Sequence, residues 1–163
     1  MSLDSVVHHV YSYDEYGRLK QINDFIYNRL EDSELIENLI RPNGVNTVWN
    51  YEANRNLVTQ VANSTVSTFG YTNDTLGRRT NMSRTGSAFT QPDILSYTYN
   101  DRSEVISAVS NVNTTYNYNY TFDPIGNRLT ASQAGTNWEY ATNALNQYMA
   151  INSETPTYDD DGN

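Results

Sequence analysis

A nine-residue phrase recurs along this chain, and its recurrence constrains the fold more than any other feature of the sequence. Its form is Tyr-x-Tyr-Asp-x-x-Gly-Arg-Leu, and the clearest copy runs from Tyr11 to Leu19. Related copies cover residues 71–79 and 97–105, and the period is about 20 residues. Such self-similarity is typical of repeat architectures, in which each unit packs against its neighbours. A stack of this kind usually provides a scaffold or a surface.

Each copy of the phrase has the pattern of a β-hairpin. Tyr11 and Tyr13 alternate, so their rings point to one face of a strand. Asp14 is favoured at the start of a turn, because its carboxylate accepts backbone N–H groups two residues on. Gly17 stands where a type I turn with a glycine bulge needs a positive φ. Leu19 then begins the returning strand.

The repeated motif comprises the aromatic residues before each turn, the Asp or Asn that opens it, and the Gly, Arg and Leu that follow. These positions are Tyr11, Tyr13, Asp14, Gly17, Arg18, Leu19, Tyr51, Tyr71, Asp74, Gly77, Arg78, Tyr97, Tyr99, Phe122, Asp123, Gly126, Leu129, Tyr140, Asn143, Tyr158, Asp159 and Gly162. We therefore predict an all-β fold: stacked antiparallel β-hairpin repeats in one twisted, spiralling sheet. We expect residues 1–163 to be a single domain of about seven hairpin units, truncated at both ends.

One segment fits two structures. The spacing of Ile26, Leu30 and the apolar pair at 39–40 would permit a short amphipathic helix. The segment Arg41-Pro42-Asn43-Gly44 is a strong turn signal, which favours a hairpin joining residues 35–40 to 45–51.

Composition excludes several classes of function. The formal charge of -9 disfavours nucleic acid and anionic membrane surfaces, which both need a basic patch. The absence of cysteine excludes disulfides and thiolate metal sites. No stretch approaches the ~20 apolar residues of a membrane-spanning helix, and nothing resembles a signal peptide. Because the sequence stops inside another turn, we expect it to be an excerpt of a longer protein.

These motifs resemble the YD repeats of Rhs-type proteins, a group that includes bacterial polymorphic toxins, cocoon components of Tc toxins, and animal teneurins. The resemblance runs from Tyr11 to the end of the chain and is most specific at 13–19. It implies successive hairpins coiled into a hollow shell, often around a toxic C-terminal polypeptide. It further implies a secreted or cell-surface location, with the rest of the parent polypeptide as the partner. The seven units here are too few to close such a shell.

Two functions follow as hypotheses, and neither is enzymatic. The first is a structural segment that acts by shape. The second is a carbohydrate-binding or adhesin module, in which exposed tyrosines stack on glycans beside Asn and Asp. We predict no catalytic residue, no cofactor and no metal site, since His8 and His9 are the only histidines. The acidic turn openers would form a row of turn caps that also suits loose cation binding. Open sheet edges predict self-association between copies.

Overall fold

The computed structural model describes residues 9–159 and 161–162 as an all-β chain. Within these residues there are 14 strands and one short 3-10 helix, Thr114–Tyr116. In chain order the strands are β1 (Tyr11–Tyr13), β2 (Leu19–Ile22), β3 (Phe25–Arg29), β4 (Ile36–Ile40), β5 (Thr47–Glu52), β6 (Arg55–Asn63), β7 (Ser67–Asn73), β8 (Arg79–Thr85), β9 (Asp93–Tyr99), β10 (Val105–Ser110), β11 (Tyr118–Phe122), β12 (Arg128–Gln133), β13 (Thr136–Thr142) and β14 (Tyr148–Ile151).

The strands follow one another in the sheet in the order in which they follow in the chain, from β1 to β14. Neighbouring strands pair antiparallel, for example Tyr11 with Ile22 and Tyr140 with Ile151. The predicted all-β stack of antiparallel hairpins is therefore confirmed. The hairpin predicted around residues 41–44 is also present, because β4 and β5 are antiparallel strands where a helix had been the alternative.

The described residues divide into two compact units. The first unit takes in residues up to 71 together with 84–92, and the second takes in 72–83 together with 93 onward.

In the first unit, glycine allows a loop to pack on a turn. Gly86 has a φ of 118°, and a Cβ there would lie 2.5 Å from the backbone oxygen of Val66. The next residues donate backbone hydrogen bonds to Thr65 and Val66. This seats Phe89 edge-on against Phe69, with 5.7 Å between ring centroids.

In the second unit, alternation separates two kinds of surface. Along β11, Tyr118, Tyr120 and Phe122 are half-buried, whereas Asn119 and Thr121 between them are exposed. The opposing strand continues the pattern, because its buried Ala131 pairs with the middle tyrosine. Among the described residues, the buried apolar side chains are Leu95, Ala108 and Ala131. The apolar face of this sheet is thus lined with rings that remain partly open to solvent.

Candidate functional site: the Asx turns and the ring-lined groove

The turn that opens at Asp14 is held by its own side chain. The Oδ1 atom accepts the backbone N–H groups of Tyr16 and Arg18, each at 2.9 Å. The Oδ2 atom accepts Nε of Arg18 at 2.6 Å. The backbone N–H of Gly17 donates to the carbonyl of Asp14, and Gly17 has a φ of 77°. The predicted carboxylate hydrogen bond and positive φ are therefore both present, and we call this arrangement an Asx turn.

Four further described turns, all in the second unit, repeat this geometry. They open at Asp74, Asn100, Asp123 and Asn143. In each, Oδ1 accepts the backbone N–H groups two and four residues on, at 2.8–3.0 Å. The residue three positions on has a φ between 61° and 97°, although it is serine or asparagine in two of the four. The two hydrogen bonds to Oδ1 and the positive φ three residues on are thus kept, while the residue types at these positions change.

The second polar atom of the opening residue pairs with the side chain four residues on, and the chemistry of that pair differs between turns. Asp74 Oδ2 accepts Arg78 Nε at 2.7 Å, Asn100 Nδ2 donates to Glu104 Oε2 at 2.6 Å, Asn127 Nδ2 donates to Asp123 Oδ2 at 2.9 Å, and Asn143 Nδ2 donates to Gln147 Oε1 at 3.0 Å. The acceptor and the donor exchange places, and the pair carries two charges, one charge or none. What is constant is one matched donor and acceptor.

The carboxylates in these turns are held in the ionised form. Burial raises the pKa of Asp74, but the hydrogen bonds and charge of Arg78 outweigh it and hold that pKa below 3.8. Hydrogen bonds from Asn100 and Arg102 lower the pKa of Glu104 below 4.5. A general acid at neutral pH needs a raised pKa, so these shifts run opposite to what acid–base catalysis requires.

Successive Asx turns of the second unit touch one another. Arg78 Nη1 donates to Ser103 Oγ at 3.2 Å, Arg102 Nη2 donates to the carbonyl of Asp123 at 2.6 Å, and Asn127 Nδ2 donates to Asn146 Oδ1 at 3.3 Å. Each turn is therefore braced by the next, as expected for a row of turn caps. Arginine and amide groups already engage these carboxylates, which leaves less of each carboxylate for a cation.

A second set of caps, at the two-residue turns, was not predicted from the sequence. Oδ1 of Asn23 accepts the backbone N–H of Val10 at 2.9 Å, and Oδ1 of Asn152 accepts that of Glu139 at 2.7 Å. Both asparagines have a φ near 50°. The signal was an Asn followed by a polar residue between two strands, which is typical of a tight hairpin turn.

The face of the second unit that carries Tyr118, Tyr120 and Phe122, here called the ring-bearing face, forms an open groove. The volume of this groove is about 490 Å³. Its walls include Leu95, Tyr97, Tyr118, Tyr120 and Phe122. Tyr118 and Tyr120 are stacked, with 6.4 Å between their centroids and 15° between their planes. A second hollow of about 210 Å³ shares some of these rings. These tyrosine side chains are thus neither fully buried in a core nor isolated on the surface.

Arg128 joins the two hollows, because it lines both. Its guanidinium carbon lies 4.8 Å from the ring centroid of Tyr120 and 5.7 Å from that of Tyr140. Its Nε is buried with no hydrogen-bond partner among the described residues. A cation held on aromatic rings without a carboxylate is therefore a feature of this groove.

The opposite face of the second unit carries hydroxyl groups paired across strands. Thr121 Oγ1 lies 2.6 Å from Thr130 Oγ1, and Thr98 Oγ1 lies 2.6 Å from Ser107 Oγ. Because these hydroxyl groups hydrogen-bond to one another, they need no partner from outside this face.

The structure separates the predicted motif residues into three environments. Tyr11 and Tyr13 are 52% and 60% exposed, so the first hairpin leaves its leading rings in solvent. Tyr51 is partly buried, which raises its pKa above 10, and its hydroxyl donates to the carbonyl of Ile36 at 2.7 Å. Tyr71, Tyr97, Tyr99, Phe122 and Tyr140 are half-buried, and Tyr158 is 40% exposed and donates to the carbonyl of Tyr148 at 3.0 Å.

One position was assigned from the letters of the motif and lies elsewhere in the structure. Leu129 was taken as the counterpart of Leu19, which pairs with Tyr13. The residue that pairs with Phe122 is Arg128, and Leu129 is 42% exposed. Asn127 occupies the capping place of the usual arginine, so the arginine is moved one residue along, onto the ring-bearing face.

The last turn is described in part. The backbone N–H of Gly162 donates to the carbonyl of Asp159 at 3.0 Å, and Gly162 has a φ of 81°. His8 lies outside the described residues, and Nδ1 of His9 contacts Nδ2 of Asn23 at 3.2 Å. Among residues 9–159 and 161–162, no three His, Asp or Glu side chains are grouped closely enough to hold a metal ion.

No family model matches the sequence, and no curated protein matches it significantly. In the part of the chain that is described, no helix is both long and apolar enough to cross a lipid bilayer.

Proposed function

We propose that this chain is a non-catalytic structural segment of a secreted or surface Rhs-type protein, contributing to a β-shell that encloses or displays a C-terminal effector. The observation that carries this proposal is the constancy of the Asx turn while its chemistry varies. An active or binding site repeated along a chain would keep its functional groups. These turns keep only their geometry and one matched hydrogen bond, which favours a role in shape.

The two faces of the second unit support the same proposal. The hydroxyls of Thr121 and Thr130 satisfy each other on one face, while Tyr118 and Tyr120 remain partly open on the other. Covering partly exposed rings with a further apolar surface is favourable, by about 25 cal/mol for each Å² of apolar surface that is removed from water. A polypeptide of the same parent, lying against the ring-bearing face, is the partner that this arrangement suits.

Photo-crosslinking in the full parent protein would test the proposal. A benzoylphenylalanine placed at Tyr120 would report on the ring-bearing face, and one placed at Thr121 would report on the opposite face as a matched control. We expect crosslinks from position 120 to another segment of the same polypeptide, and few from position 121. Equal yields at both positions, or crosslinks from 121 alone, would argue against an enclosed or displayed polypeptide on this face.

A second function, carbohydrate binding, is favoured by one specific observation. Tyr97, Tyr118 and Tyr120 line an open groove, and ring faces in such a groove can stack on sugars. Titration of neutral oligosaccharides, monitored by the fluorescence of Trp138 in a Trp49→Phe background, would test it. A saturable change lost in Tyr118→Ala would support glycan binding. A flat titration would leave the structural role as the better account.

A further inference from the structure

We infer that Arg128 is an anchor for a carboxylate, and that the ring-lined groove around it takes an extended polypeptide segment in which an acidic side chain is flanked by apolar ones. This inference rests on the proposed function and adds the chemistry of the segment that the ring-bearing face would contact.

The state of the guanidinium is the first support. Arg18, Arg78 and Arg102 each form an ion pair with a carboxylate in or beside their own turn. Arg128 forms no ion pair with any described residue, and its buried Nε has no hydrogen-bond partner there. A partly buried guanidinium without an anion is costly, and a carboxylate from outside would satisfy it.

The cause of this isolation lies in the sequence of the turn. Asn127 caps Asp123, with Nδ2 of the amide 2.9 Å from Oδ2 of the carboxylate. In the turns at Asp14 and Asp74 an arginine fills that place and is neutralised there. Moving the arginine one residue along takes it away from Asp123 and places it among the rings.

The surroundings of Arg128 define what can bind. The guanidinium carbon of Arg128 lies beside the rings of Tyr120 and Tyr140, and a guanidinium can donate the two parallel hydrogen bonds that a carboxylate accepts. Arg128 is the single basic side chain among the described residues that line the larger hollow. The acidic one, Glu104, already accepts hydrogen bonds from Asn100 and Arg102 at Oε2. Leu95 and Phe122 supply apolar walls on which flanking apolar side chains can pack.

Two matched peptides would test the inference on the chain itself. Both would be acetylated and amidated, with apolar residues alternating with serine around one central position. That position is glutamate in one peptide and glutamine in the other. Trp138, which lines the smaller hollow, would report binding in a Trp49→Phe background. We expect the glutamate peptide to bind about fivefold to tenfold more tightly than its twin.

Two variants test whether Arg128 is the residue that causes the preference for the glutamate peptide. Arg128→Gln should bind both peptides equally, whereas Arg55→Gln, whose arginine pairs with Glu52 and does not line the groove, should keep the preference. The preference should also shrink as sodium chloride is raised, which tests the charge even if Arg128→Gln does not fold.

Several outcomes would overturn the inference. These are equal affinity of the native protein for both peptides, a preference that survives in Arg128→Gln or does not respond to salt, and no binding of either peptide. Binding of a glucuronate oligosaccharide that depends on Arg128, without a preference for the glutamate peptide, would replace it with an acidic-glycan site. None of these results decides the crosslinking test of the structural role, so the two failures are distinguishable.

Discussion

At the scale of single residues, the Asx turn separates what the fold requires from what it tolerates. In the five Asx turns that open at residues 14, 74, 100, 123 and 143, Oδ1 of the opening residue accepts two backbone N–H groups, and both Asp and Asn supply that oxygen. The second atom must match its partner, so Asp faces Arg78 in one turn and Asn100 faces Glu104 in another. Asp and Asn are therefore interchangeable as acceptors at Oδ1. They are not interchangeable at the second polar atom, which is Oδ2, an acceptor, in Asp and Nδ2, a donor, in Asn.

This distinction predicts a difference between two similar substitutions. Asn100→Asp places a carboxylate against Glu104, where Nδ2 and Oε2 are now 2.6 Å apart, so the urea midpoint should fall at neutral pH. Acidification should reverse part of the loss, because the two carboxylates can then share a proton. Asn143→Asp is the matched control: the amide of Gln147 can rotate to donate, and the midpoint should stay close to native. An equal loss in both variants would disprove the pairing rule.

The lowered pKa of Asp74 makes a second residue-scale prediction. A carboxyl group whose pKa is lower in the folded state contributes stability above its unfolded value, here 3.8, and that contribution is lost as pH falls through the folded pKa. Asp74→Asn should therefore be less stable than native at neutral pH, and the gap should narrow below pH 3.8. Urea unfolding from neutral to acidic pH would measure it, with exposed Asp24→Asn as the control. A gap that does not change with pH would refute the assignment.

At the scale of elements, glycine is favoured for different reasons in a turn and in a loop. A Cβ on Gly17 would meet no atom within 4 Å, so only the left-handed φ opposes a side chain there. The equivalent turns even accept Ser103 and Asn146 with positive φ. At Gly86 a Cβ would also lie 2.8 Å from Cα of Ser67, which is backbone and cannot rotate away.

Gly17→Ala and Gly86→Ala should therefore differ in severity. The turn variant should lose about 1 kcal/mol, the cost of the left-handed conformation. The loop variant should lose that and about 1–3 kcal/mol more, because the loop must move off the turn at Val66. Chemical denaturation of both proteins would measure the difference. Near-equal losses would show that the loop shifts without cost.

The elements also show what the sequence could and could not predict. The turns at Asp14 and at residues 41–44 were predictable, because turn chemistry is local. The place of Arg128 was not, because the letters Arg-Leu were aligned with the motif although the hydrogen-bond partner of Asp123 is Asn127. The exposure of Tyr13 was left open by the sequence, since burial depends on which strands lie beside a ring.

At the scale of the whole molecule, the described strands have a first and a last member in the sheet order, and few of the described apolar side chains are buried. Among the described residues, the sheet order begins at β1, whose three residues are all exposed, and ends at β14, so these two are its edge strands. Edge strands present unpaired N–H and C=O groups that can pair with another chain. Self-association through these edges was expected from the sequence and remains a prediction.

Charges placed on the edges should suppress such pairing. Ser12→Lys combined with Met149→Lys adds one lysine to each edge strand, and lysine on an edge opposes pairing with a second chain. Sedimentation velocity over a wide range of protein concentrations should show the native protein growing in mass and the double variant remaining monomeric. Ala144→Lys combined with Leu145→Lys adds the same charge to an exposed turn and should associate as the native protein does. If the turn variant is equally monomeric, net charge and not the edges governs association, and a native protein that stays monomeric throughout would rule out edge pairing altogether.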